Sequence, residues 1–160
     1  MSELRIEKHR VAATVTLSDG RSMQGCVFVS PLNATHSGPE SVKDLMNDGP
    51  GFFPLERQAA HGPAVHLLNR HHVRFVTLAN DEELRQSPGA EVATRRPVTV
   101  VLDNGERIDG FVPVSRPRGR DRLSDHTRWG ESFWYLEVPT GAIIINANRV
   151  IELLERSEHE

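Results

Sequence analysis

The sequence predicts an all-β fold: two tandem five-stranded, strongly bent antiparallel barrels with a short connecting helix. Three observations point there. Residues 15–30 (VTLSDGRSMQGCVFVS) return as residues 100–115 (VVLDNGERIDGFVPVS) at an offset of 85, and residues 67–78 (LLNRHHVRFVTL) return as residues 144–155 (IINANRVIELLE) at an offset of 77. Similarity at a fixed spacing marks a repeated structural unit. Apolar residues alternate at period two, as they do along half-buried strands. Turn-forming residues also fall at the same places in both copies. The predicted organisation is a first module over residues 5–80, an acidic connector over 81–94 and a second module over 95–156.

Each copy opens on a strand. Val11, Ala13, Val15 and Leu17 alternate with Ala12, Thr14 and Thr16, and Val98, Val100 and Leu102 alternate with Thr99 and Val101. Asp19-Gly20 and Asn104-Gly105 then predict a tight hairpin, because glycine enters the positive φ that such turns demand. Met23, Val27 and Val29, and likewise Ile108, Val112 and Val114, mark the returning strands. Gly25 and Gly110 lie inside them, where a glycine permits a bulge or sharp bend. Residues 31–51 and 116–132, rich in Gly, Pro, Asp and Asn, read as long loops.

Beyond each loop an aromatic cluster, Phe52-Phe53-Pro54-Leu55 or Phe133-Trp134-Tyr135-Leu136, opens three shorter strands. They are expected near 52–57, 63–69 and 72–78, and near 132–138, 141–146 and 148–154. Asn69-Arg70-His71 or Asn146-Ala147-Asn148 alone separates the last two, and asparagine's tolerance of left-handed backbone predicts a tight corner there. In the connector, Asn80 as N-cap before Asp81, Glu82 and Glu83 predicts one or two helical turns, ended by Ser87-Pro88-Gly89. Five short strands with a bend-permitting glycine curl on themselves to bury one apolar face.

Composition bounds the class. Hydrophobic residues make 38% of the 160 and charged residues 26%, which excludes a disordered polyelectrolyte. The longest uncharged apolar run, residues 142–145, is far below the roughly 20 residues of a membrane helix. MSELRIEKHR lacks the apolar stretch of a secretory signal. A lone cysteine, Cys26, allows neither an intramolecular disulfide nor a cysteine-built zinc site, and a buried, inert thiol in a cytoplasmic protein is expected. The net charge of −3 is unevenly spread. Residues 81–94 and 151–160 each carry −3, while 1–80 carry +1 and 95–150 carry +2. A local anionic-ligand site is compatible with that pattern; a broad basic field is not.

The doubled pattern resembles the Sm-like (LSm) family of RNA-binding proteins. The family's first motif is similar to residues 17–25 with Val27 and Val29, and to residues 102–110 with Val112 and Val114. Its second motif, a tight basic turn between strands four and five, resembles residues 67–73 and 144–150. The resemblance implies small five-stranded barrels in a ring, with these turns facing the pore. Asn69, Arg70, His71, Asn146, Asn148 and Arg149 would then touch bases and phosphates. It also implies modules that pack edge to edge and assemble further into a homo-oligomer by edge-strand pairing, in which Val73, Phe75 and Val76 and residues 142–145 take part, three chains giving a six-module ring.

The remaining chemistry is sparse. Arg116, Arg118 and Arg120, with Arg122, put four guanidinium groups in the segment RPRGRDR, a composition that can follow a phosphate backbone or form an ordinary solvated loop. His71 and His72 would point to opposite faces of a strand, so no metal site is expected. No nucleophile motif or phosphate-binding loop is present, so no cofactor and no enzyme activity are expected. The first functional reading is a non-catalytic module binding RNA or a nucleotide at the tight turns. The competing one is a protein-interaction or scaffold module without nucleic-acid binding, and a third is a small-ligand regulatory domain.

Overall fold

The computed structural model describes residues 8–31, 39–87, 89–114 and 131–156. The first half contains β1 (His9–Leu17), β2 (Ser22–Val29), α1 (Val42–Met46), β3 (Phe52–Ala59), β4 (Gly62–Asn69) and β5 (Val73–Leu78). A connector follows with α2 (Glu82–Arg85), and then β6 (Thr94–Leu102), β7 (Arg107–Val114), β8 (Phe133–Val138), β9 (Gly141–Asn146) and β10 (Val150–Glu155). Among the described residues no helix is long and apolar enough to cross a membrane.

The hairpins form as the turn residues dictate. Gly20 and Gly105 take φ of 94° and 88°, and the Asp19 and Asn104 carboxamide or carboxylate oxygens accept the N–H groups of Arg21 and Glu106. β1 then pairs with β2 along eight positions, from His9 opposite Val29 to Thr16 opposite Ser22. Gly25 and Gly110 are needed for close approach: a Cβ at either would collide with the carbonyl oxygen of Glu56 or Glu137 on the next strand. There β2 touches β3 through the single pair Cys26–Glu56, and β7 touches β8 through Phe111–Glu137. Cys26 is half-buried rather than fully buried.

Two closed barrels do not form. The strands make one open ten-stranded sheet in the order β10-β6-β7-β8-β9-β5-β1-β2-β3-β4, so the same order of five occurs twice. The reason lies at the middle. The edge of β5 is taken by β9, with Phe75 opposite Ile145, Val76 opposite Ile144 and Thr77 opposite Ile143. The residues expected to pair one module with its neighbour join the two halves of one chain.

This joint makes β8 and β9 apolar on both faces, as strands covered on both sides must be. Phe133, Tyr135, Ala142 and Ile144 enter the first core, with Val15, Val27, Leu55, Val73 and Val76. Trp134, Leu136, Ile143 and Ile145 enter the second, with Val98, Val100, Leu102 and Val112, and Phe75 of β5 packs against them. That two-sided demand explains the run at 142–145.

Two further expectations need correction. The loop at 31–51 contains α1, whose Ser41 Oγ accepts the Asp44 N–H while the Asp44 carboxylate accepts the Ser41 N–H. This reciprocal cap satisfies two otherwise orphan donors. Its buried Val42, Leu45 and Met46 close the first core. Asn69 and Asn146 do not use left-handed backbone; both are extended, with φ of −79° and −82°. Their side chains make the corner instead. In the connector, the helix is the single turn of α2, whose N-cap is Asp81 rather than Asn80, although the Asn80 side chain accepts the Glu82 N–H.

Candidate functional site

The turns between β4 and β5 and between β9 and β10 are built alike. Each is a single 3-10 turn, Arg70–His72 or Ala147–Arg149. Asn69 Oδ1 accepts from the His71 N–H at 2.9 Å, and Asn146 Oδ1 accepts from the Asn148 N–H at 3.0 Å. Each turn is clamped at both ends by backbone. Arg70 N–H donates to Gly51 O and Ala147 N–H to Ser132 O, while the carbonyls of His72 and Arg149 accept from Ser18 and Asp103. Short polar side chains that bond locally in this way fix a corner without unusual backbone angles.

Pairing of β5 with β9 brings the two turns together. The buried Asn146 amide donates to Val73 O at 2.8 Å and to Arg70 O at 3.4 Å. Arg149 donates through Nε and Nη2 to His71 O at 3.0 and 2.7 Å, and through Nη1 to Asp103 Oδ2 at 3.0 Å. Asp103 also accepts Arg74 Nε at 2.7 Å, and Arg74 donates onward to Leu17 O. Burial pushes the Asp103 carboxyl up, but the bonds from Arg74 and Arg149 outweigh it and hold the group below the usual carboxylate range.

His72 Nδ1 lies 3.2 Å from Arg149 Nη2 and 2.9 Å from Ser18 Oγ. A guanidinium only donates, so Nδ1 is the acceptor and the neutral ring carries its proton on Nε2. The rings of His71 and His72 meet edge to face, 5.3 Å apart. His71, His72 and Asn148 are exposed over this cluster.

Arg70 has a different part. It is buried, and its guanidinium donates to Leu45 O at 3.2 and 3.0 Å, to Phe52 O at 3.1 Å and to Pro50 O at 3.4 Å. It also lies over the Phe53 ring, 5.6 Å from the centroid. Burial lowers its pKa, and nearby Asp48 and Glu40 oppose that; a guanidinium stays charged regardless. Arg70 thus ties α1, the start of β3 and the turn together from inside. Arg116, Arg118 and Arg120 lie outside the described residues.

Sequence reasoning missed the Arg74–Asp103–Arg149 cluster. The signal was a break in the repeat: at the offsets of 77 and 85, Arg74 matches Ile151 and Asp103 matches Ser18. It also missed Glu83, which accepts from the N–H groups of Val42 and Lys43 and from the Tyr135 hydroxyl at 2.8 Å. Burial, then the Glu83 charge, push the Tyr135 hydroxyl far above its ordinary pKa. Asn47 holds Phe133 by two bonds of 2.9 Å, one to its carbonyl and one from its N–H. Among the described residues no three His, Cys, Asp or Glu side chains group as a metal site. Comparison of the chain with protein-family models, curated proteins and solved structures returned no match.

Proposed function

We propose that the chain is a non-catalytic binding module that takes RNA or a nucleotide at its paired turns. The observation that carries this reading is the convergence of two turns, 77 residues apart in sequence, into one polar surface. His71 and His72 offer ring faces for a base, and Asn148 offers an amide. Arg149 lies behind them, and together with Arg74 it outnumbers the single Asp103 carboxylate by one charge. Rings beside cations are the ordinary means of holding single strands. Asn69, Asn146 and Arg70 position this surface rather than touch a ligand. One surplus cation supports weak binding with a shallow salt dependence. In this reading the halves are copies of one Sm-like module laid edge to edge, in a cytoplasmic protein.

Fluorescence anisotropy with short A-rich and U-rich RNAs, and with free nucleotides, tests it. Saturable binding in the micromolar range that weakens in His71→Ala/Asn148→Ala supports the reading. No saturable binding at low salt, or binding that ignores both substitutions, removes it.

The second reading, a protein-interaction module, has its own observation. Phe52, Val65 and Leu67 are exposed together on the outer face of β3 and β4, beside the outer edge of β4, which pairs with no other strand among the described residues. Apolar side chains at a free edge mark an interaction surface or an aggregation hazard.

A further inference from the structure

The repeat changes its chemistry where the two turns meet. The offset of 77 sets His72 against Arg149, and the offset of 85 sets Ser18 against Asp103. Each turn residue meets the hairpin residue of its own half: His72 Nδ1 lies 2.9 Å from Ser18 Oγ, and Arg149 Nη1 lies 3.0 Å from Asp103 Oδ2. The backbone repeats the contact, since the Ser18 N–H donates to His72 O and the Asp103 N–H to Arg149 O. One half therefore holds an ion pair, and the other a serine and a histidine that can take up a proton. Arg149 joins the two, because its Nη2 lies 3.2 Å from His72 Nδ1.

A proton arriving at His72 goes to Nδ1, since Nε2 carries one already in the neutral ring. The two neighbours of Nδ1 respond differently. Ser18 Oγ is a hydroxyl and turns from donor to acceptor. The guanidinium of Arg149 has only donors, so an N–H would face an N–H and a cation a cation. The carboxylates flanking this contact are already held. Asp103 is shared between Arg74 and Arg149, and Asp19, beside Ser18, is bound to Arg21. From its own turn His72 meets the ring of His71, while Arg70 points inward to Leu45 O.

We propose that His72 is a proton-operated latch between the two halves: neutral, it holds Arg149 Nη2; protonated, it releases that contact and stands as a second cation beside Arg149, where both can face an oxyanion. That the oxyanion belongs to RNA or a nucleotide rests on the reading above; the latch itself does not. Histidine is the side chain that ordinarily changes charge between about pH 5 and 8. Bonds from Arg74 and Arg149 keep Asp103 ionised as the proton arrives, so the cluster gains one full charge. Sulfate or phosphate oxygens accept charge-assisted bonds from an imidazolium and a guanidinium together.

Nuclear magnetic resonance of the full chain, from about pH 8 to about pH 5, tests this. The ring nitrogens of His72 report the proton and the Arg149 Nε–H reports the contact. The two signals are expected to move together in wild type and in His71→Gln, while the Arg149 signal stays still in His72→Gln. Inorganic sulfate, whose charge is constant over this range, and a short U-rich RNA are then added separately. Each is expected to bind about five-fold more tightly at the acid end. His72→Gln loses most of that gain, and so does Ser18→Asp, which gives His72 the carboxylate that Arg149 already has. Circular dichroism verifies that each variant folds. An Arg149 signal that ignores the His72 titration overturns the inference, as does an acid gain undiminished in His72→Gln. Sulfate binding that follows the proton, with no RNA binding at any pH, keeps the latch and removes the RNA reading. RNA binding equal at both ends, with no acid gain for sulfate, keeps the RNA reading and removes the latch.

Discussion

Arg70 separates a scaffold role from a ligand-contacting one. Replacing it with Met keeps much of the stem's volume over Phe53 but removes every donor. The carbonyls of Leu45, Phe52 and Pro50 lose four guanidinium bonds between them. Bonds to a charged donor contribute about 1.5–3 kcal/mol net where buried. Leu45 O keeps a bond from the Asp48 N–H, and some carbonyls gain water, so a total near 3 kcal/mol is expected. For a chain of this length that corresponds to a fall of about 10 °C in the melting midpoint. Thermal unfolding followed by circular dichroism reads the shift. RNA anisotropy, recorded well below the transition, should move little. A melting midpoint that stays put while affinity vanishes would refute the argument and return Arg70 to the ligand.

Gly25→Ala and Gly110→Ala should each lower stability by about 2–4 kcal/mol, since the new Cβ collides with a strand backbone rather than a movable side chain; chemical denaturation measures it. Ile144→Ala, at the joint, should cost about 2–5 kcal/mol, while Leu67→Ala at the matching exposed position should cost under about 0.5 kcal/mol in a monomer. Asp103→Asn should destabilise by on the order of 1 kcal/mol at neutral pH, discounted for partial exposure. Because the folded carboxyl lies below its unfolded value, its contribution is complete above the ordinary carboxylate range and is lost as the pH falls through the folded pKa. Wild type and Asp103→Asn should therefore converge in melting temperature as acid protonates the folded carboxyl, and a gap that does not narrow on acidification would contradict the assignment.

Local features were legible because they depend on neighbours in sequence. Asp19-Gly20 and Asn104-Gly105 announced hairpins, period-two alternation gave the strands within a few residues, and Gly25 and Gly110 marked the close crossings. What eluded the sequence depends on distant partners. A period-two pattern reports that a strand has a buried face but not which strand lies beyond its edge, so β5 against β9 read equally well as a contact between chains. The run at 142–145 was the trace of that joint, and two-sided burial is its cause. The five-residue α1 is too short for a periodic signal, although Ser41 and Asp44 spelled its cap. Arg70 looked like a surface cation because nothing in Asn69-Arg70-His71 reveals the carbonyls of residues 45, 50 and 52 waiting inside.

The joint itself is the most direct test. In a nuclear magnetic resonance spectrum of the full chain, cross-strand Overhauser contacts are expected between Phe75 and Ile145, Val76 and Ile144, and Thr77 and Ile143. The β5 amides should exchange with solvent as slowly as those of β9. Rapid exchange along β5 with no contact to residues 143–145 would mean that the halves are separate bodies, and the shared sheet and the paired turns would both be wrong.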